Sequence, residues 1–238
     1  MTGILNPICV ALDTPDPGRA AELVGRLKSS VGYAKIGMEL FYAGGPKAYE
    51  TVAREGVPVF LDLKLHDIPN TVASALRSLM RLEPKPAIVN VHASGGYDMM
   101  KAALEAIDGR AKLIAVTVLT SLSDEDLWST GFDRGKDARR HAVELGRLAA
   151  AAGLAGIVCS PQEVARIKSV ISRGFLTVVP GIRPAGVAGD DQKRVATPQE
   201  ALREGADILV IGRPITAAAD PEKAARGIAA SLEPIDAG

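Results

Sequence analysis

Cysteine is scarce in this chain: Cys9 and Cys159 are the two among 238 residues, each inside an apolar run and in no Cys-x-x-Cys or zinc-type spacing. That argues against a disulfide framework, and both are expected as reduced core residues of a cytoplasmic protein. Net charge is missing too, since 28 basic residues balance 28 acidic ones. With no field over the whole surface to attract a polyanion, nucleic acid is not expected as a partner. No uninterrupted apolar run is long enough to span a bilayer, and no charged, apolar and small-residue leader stands at the N-terminus, so no membrane is expected either. His-Glu-x-x-His and paired-histidine spacings are absent, which leaves a transition metal without recognisable ligands. No Gly-x-Gly-x-x-Gly follows the first apolar run. Gly131-Phe-Asp-Arg-Gly-Lys136 is one residue short of a Walker loop and lacks Ser or Thr after the lysine.

What the chain does have is one unit repeated: a short apolar run, a polar residue at its end, then an amphipathic helix closed by glycine. Eight runs fit, at Pro7 to Asp13, Tyr33 to Met38, Pro58 to Leu65, Ala87 to His92, Lys112 to Leu119, Ala155 to Cys159, Leu176 to Pro180 and Asp207 to Ile211. Short apolar runs alternating with helices predict a parallel sheet, and eight of them predict closure into a (β/α)8 TIM barrel in preference to an open doubly wound sheet. The length fits one such barrel as a single domain over residues 1–238. Ser160-Pro-Gln-Glu163 and Thr197-Pro-Gln-Glu200 each place a hydroxyl cap, proline at the first helical position and glutamate at the third, and Asp220-Pro-Glu does nearly the same. Gly56, Gly109, Gly153 and Gly205 stand where helix C-caps are wanted.

Chemistry concentrates in Phe60-Leu-Asp-Leu-Lys-Leu-His-Asp-Ile-Pro-Asn-Thr71. Read as a strand, it sends Leu61, Leu63 and Leu65 one way and Asp62, Lys64 and His66 the other, with Asp67 just past its end and Pro69 opening the next helix. Acid and base in such alternation hold one another ionised, either as a structural ion pair or as part of a site. Barrel active sites lie at the carboxyl ends of the strands. Asp13, Lys35, Asp62, Lys64, Asp67, Asn90, His92, Thr120, Arg183 and Arg213 would all converge there. Lys35 is a second lysine inside a strand, best explained as facing Asp62 and Lys64. His92 is expected in a structural role, hydrogen-bonded beneath the site, and His141 reads as helical and exposed.

The last two strands end in Val179-Pro-Gly-Ile-Arg183 and Ile211-Gly-Arg213, where glycine N–H groups beside a cation suit a phosphate. Two connections are long, Thr120 to Lys136 and Gly181 to Ala196, and the second is a candidate lid.

Val10-Ala-Leu-Asp13, Lys35-Ile-Gly, the Phe60 to Thr71 stretch, Val91-His-Ala-Ser-Gly-Gly96, Val118-Leu-Thr-Ser121, Val179-Pro-Gly-Ile-Arg-Pro184 and Ile211-Gly-Arg-Pro-Ile215 together resemble the bacterial orotidine 5'-phosphate decarboxylases, in order over nearly the whole chain. The resemblance implies a homodimeric barrel that converts orotidine 5'-phosphate to UMP and carbon dioxide, the last step of de novo UMP synthesis, with no cofactor and no metal. It implies Lys64 as proton donor to C6 of the pyrimidine within the array Lys35, Asp62, Lys64 and Asp67. It also implies that Asp67 and Thr71 are lent by the partner subunit and that Asp13 and Lys35 hold the ribose hydroxyls. Thr120 would meet the pyrimidine edge, Arg183, Gly212 and Arg213 the phosphate, and Gln192 would bridge the two. A magnesium-dependent phosphosugar lyase or synthase is the alternative. It needs one more carboxylate near the second strand, and Glu39 comes too late in the sequence to be a good ligand. A nucleotide-binding barrel without catalysis is a third reading.

Overall fold

The computed structural model describes residues 6–184 and 194–232. Strand and helix alternate from the start: β1 (Ile8–Leu12), α1 (Pro17–Leu27), β2 (Tyr33–Gly37), α2 (Met38–Ala53), β3 (Val59–Leu65), α3 (Pro69–Leu79), β4 (Ile88–His92), α4 (Tyr97–Ile107) and β5 (Lys112–Val116). The second half adds α5 (Asp124–Ser129), α6 (Ala138–Ala151), β6 (Gly156–Val158), α7 (Val164–Val170), β7 (Leu176–Val179), α8 (Pro198–Arg203), β8 (Ile208–Ile211), α9 (Arg213–Thr216) and α10 (Pro221–Ser231). Each strand pairs in parallel with the next and β8 returns to β1, closing an eight-stranded barrel. All eight expected runs are strands, trimmed by one to three residues at their ends.

The strands read as continuous apolar runs because both of their faces are covered. Cys9, Ala11, Phe60, Ile88, Ile114, Val178, Ile208 and Val210 fill the inside of the barrel. Their neighbours Ile8, Val10, Leu61, Val89, Leu113 and Leu209 face outward and pack under the helices. Cys9 and Cys159 are free and buried, and burial pushes the Cys9 thiol up to about 12, so it stays neutral. No helix among the described residues is long and apolar enough to cross a membrane.

The caps follow the sequence closely. Ser160 and Thr197 each accept within a reciprocal capping box with Glu163 and Glu200, and Asp220 accepts from the Lys223 N–H. Gly56, Gly109, Gly153 and Gly205 all have positive φ, the conformation a helix exit requires. One expectation fails here. His141 lies on α6 but is buried, with Nε2 3.0 Å from the Asp133 carbonyl and its ring edge-on to Phe132. The connection from Thr120 to Lys136 folds over that face of α6 and hides it. This long connection carries a short helix of its own, because Ser123 and Asp126 form a capping box that starts α5.

At the amino end of the barrel Lys168 of α7 binds the Asp207 carboxylate at 2.6 Å and the Phe175 and Arg173 carbonyls at 2.8 and 3.1 Å. Asp207 in turn accepts from the Thr177 N–H and hydroxyl, fastening β7 to the start of β8. Lys168 Nζ donates to three acceptors and Asp207 Oδ2 accepts from three donors, so removal of one partner strands the other charge. Asp207→Ala is expected to lower unfolding free energy by about 3–5 kcal/mol in urea titrations, and a loss within error of zero would refute the fastening role. Gly156 offers a second check, since a Cβ there would lie 2.3 Å from the Leu176 carbonyl oxygen of β7. Gly156→Ala is expected to cost about 1–3 kcal/mol through overpacking, read as a lowered thermal midpoint; an unchanged midpoint would contradict the close approach.

Candidate active site

The carboxyl ends of the strands enclose a cavity of about 270 Å³. Asp13, Lys35, Asp62, Lys64, Thr120, Arg183, Gly212 and Arg213 all line it, with Ser121 beside Thr120. Of the other residues expected there, Asp67, Thr71, Asn90 and His92 do not line it, and Gln192 and most of the candidate lid lie outside the described residues.

β2 and β3 supply the charged centre. Their register sets Lys35 beside Phe60 and Gly37 beside Asp62, so the inward faces of the two strands bring Lys35 diagonally to Asp62. Lys64 Nζ donates to Asp62 Oδ1 at 2.7 Å, and Lys35 Nζ lies 3.3 Å from Oδ2 and 3.8 Å from Asp13 Oδ1. Gly37 makes room, since a Cβ there would lie 3.3 Å from Lys35 Nζ. Asp62 is 6% exposed. Burial acts to raise its pKa, but the charges of Lys35 and Lys64, with hydrogen bonds from Lys64 and Asn90, outweigh burial and hold the carboxyl below its ordinary 3.8. For Lys35 burial acts to lower the pKa, and Asp62 and Asp13 reverse it to above 10.5. Both groups are therefore held in their charged forms.

The alternation expected along β3 does not survive to its end. Pairing with β4 matches Leu61 to Val89 and then Leu65 to Val91, so Asp62, Leu63 and Lys64 stand opposite Asn90 alone. Within this bulge Lys64 has φ 52°, a left-handed conformation that costs a residue with a side chain about 1–3 kcal/mol. Lys64 still lines the cavity with Asp62, whereas His66 leaves the array for the exposed rim. His66 packs against His92, ring centroids 5.4 Å apart, so a ring contact stands where a hydrogen bond was expected for His92. Burial, His66 and Lys64 all lower the pKa of His92 and favour its neutral form.

Asp67 is exposed at the foot of α3 and accepts from the N–H of Ile68 at 2.6 Å; it is no part of the charged cluster within one chain. Thr71 is exposed one turn on. Across the barrel, Gly181 has positive φ and turns the chain out of β7, and Arg183 is buried with its N–H on the Ala196 carbonyl at 2.9 Å. Arg194, two residues before Ala196, binds Glu163 and also reaches the Leu119 carbonyl at 3.1 Å, tying the ends of β5, β6 and β7 together. Asn90 is the residue whose part sequence reasoning undervalued. The signal was a lone amide inside the apolar run Ile88-Val-Asn-Val-His92.

The sequence model of the Orotidine 5'-phosphate decarboxylase / HUMPS family matches residues 6–228. The orotidine 5'-phosphate decarboxylase of Erythrobacter litoralis (strain HTCC2594) is 52% identical over 227 residues, which is 95% of this chain and 99% of that one. The protein of that name from Anaeromyxobacter sp. (strain K) is 51% identical over 225 residues, 94% of this chain and 97% of the other. Among solved structures, orotidine 5'-phosphate decarboxylase from Lactobacillus acidophilus superposes with a TM-score of 0.80 at 35% identity, covering 96% of this chain and 100% of that chain. On sequence and on structure alike, the chain belongs to the Orotidine 5'-phosphate decarboxylase / HUMPS family.

Proposed function

We propose that this barrel decarboxylates orotidine 5'-phosphate to UMP and carbon dioxide without a cofactor, as a cytoplasmic homodimer. The observation that carries the reading is the Lys64 ammonium, 2.7 Å from a buried carboxylate and at the edge of a cavity whose far side holds Arg183 and Arg213. In the reaction the bond from C6 to the carboxylate breaks, the electron pair stays on C6, and that carbon takes a proton from Lys64, which solvent later restores. No conjugated group takes up the pair, so a fixed positive charge at C6 must stabilise it, and Lys64 supplies charge and proton from one atom. Asp62, facing the departing carboxylate, would repel the bound substrate more than the transition state. Asp13 and Lys35 would hold the ribose hydroxyls, Thr120 the pyrimidine edge, and Arg183, Gly212 and Arg213 the phosphate. Gln192 would bridge phosphate and pyrimidine.

Asp67 and Thr71 fit a shared site. Both are exposed beside Ile68, 67% exposed, and the preceding helix α2 presents Tyr42, 70% exposed. Large apolar side chains this open beside a polar site suit a subunit interface. The magnesium-dependent reading gains no support from the described residues: Glu39 is exposed on α2 and does not line the cavity, and no cluster of three or more His, Cys, Asp or Glu is placed to hold a metal.

Loss of the orotate absorbance, followed with EDTA present, is expected to show full turnover by the unaltered protein. Lys64→Ala is expected to lower kcat by at least about 1,000-fold with its fold intact. Substantial residual activity in the variant, or loss of activity to the chelator, would overturn the reading. For the shared site, subunits carrying Lys64→Ala and subunits carrying Asp67→Asn are each expected to be inactive alone and to regain activity when coexpressed, because one mixed site then has both native residues. Failure to regain it would place Asp67 in the site of its own chain.

A further inference from the structure

Asp62, Leu63 and Lys64 bulge away from β4, and the backbone ladder that would fix them is interrupted at the place where the chemistry needs most rigidity. Asn90 is the residue opposite the gap. It is 1% exposed, lies outside the cavity lining, and its own backbone stays in register with Ile114 of β5. Its side chain takes over the missing contacts. Oδ1 accepts from the Lys64 backbone N–H at 2.8 Å, and Nδ2 donates to Asp62 Oδ1 at 2.6 Å. Reversal of the amide would set a donor against the N–H and an acceptor against the carboxylate, so the partners fix its orientation. Asp62 Oδ1 also accepts from Lys64 Nζ at 2.7 Å, which closes a ring through Asn90, Lys64 and Asp62.

We infer that Asn90 is a positioning residue for decarboxylation, holding Lys64 in its left-handed backbone conformation and Asp62 in its orientation so that Nζ stays aimed at the reacting carbon. It touches no substrate and acts through these two residues. The choice of side chain follows from the geometry: one amide meets a backbone donor and a carboxylate acceptor at once, where a hydroxyl is too short and an acid brings the wrong charge.

The inference rests on the decarboxylase reading, and its test separates the two. If the unaltered protein fails to release carbon dioxide from orotidine 5'-phosphate, the reading fails. Given that turnover, Asn90→Ala is expected to lower kcat by about 100-fold, the scale of a misplaced catalytic group. KM and the affinity for UMP are expected to stay within about threefold, as when an interaction is lost only in the transition state. A lowered thermal midpoint with kcat unchanged, or a rise in KM alone, would overturn the inference.

Asn90→Asp keeps the acceptor for Lys64 but sets a second carboxylate against Asp62, which is faced otherwise by Lys64, by Lys35 from β2, by Cys9 from β1 and by His92 from β4. Two acids in contact share a proton, so the acid limb of kcat is expected to move to higher pH. An unmoved limb contradicts the contact. In the unaltered protein the Asn90 side-chain amide resonance is expected to titrate together with that limb. A resonance indifferent to it overturns the inference whether or not either variant folds.

Discussion

A single carboxylate shared by two lysines is the interaction on which the mouth of this barrel depends. Asp62 sits 2.7 Å from Lys64 and 3.3 Å from Lys35, and all three side chains are largely withdrawn from water. An isolated charge in such a place would neutralise or force itself into solvent. Side by side, Asp62 and Lys35 hold their charged forms, the acid below its ordinary pKa and Lys35 above its own. Charge is thus assembled before any substrate arrives, and reaction needs little reorganisation around it.

Closure of the sheet makes this arrangement possible. Parallel strands in continuous register place inward residues from neighbouring strands at a fixed diagonal, and the apolar layer of Phe60, Ile88 and Ile114 beneath them denies water a path from below. The same closure brings β7 and β8 round to face β3, so the basic pair Arg183 and Arg213 shares one cavity with Lys64 although more than a hundred residues separate them in sequence. An anion held on that side would fix the distance to the amine on the other. Within one chain Asp67 stands apart from this cluster, on the outer rim beside the exposed Ile68. The dimer proposed above gives that rim a purpose.

Strands and caps were legible in the sequence because their causes are local or one-dimensional. A strand covered on both faces must be apolar throughout, and a capping box needs side chains only three residues apart. The site was partly legible for the same reason, since Asp62 and Lys64 belong to one strand and Lys35 to the strand before it. Three things were not. The left-handed turn at Lys64 breaks the two-residue period, and it exists only because β4 offers one residue against three. The work of Asn90 is visible only once that register is known. His141 looked exposed on its helix because nothing near it in sequence announces that the segment around Asp133 and Phe132 folds across it.

The account stands on the ionised state of Asp62, and a carbon-13 NMR titration of its carboxyl carbon in the unliganded protein measures that state directly. A group whose folded pKa is depressed stays charged, and stabilises the fold, until the pH drops through that lowered value. The predicted result is a midpoint below the ordinary 3.8 that moves upward when Lys35 or Lys64 is replaced by a neutral residue. A midpoint above 3.8 in the unaltered protein would mean that burial prevails over the two lysines, and the proposed charge array would then not exist as described.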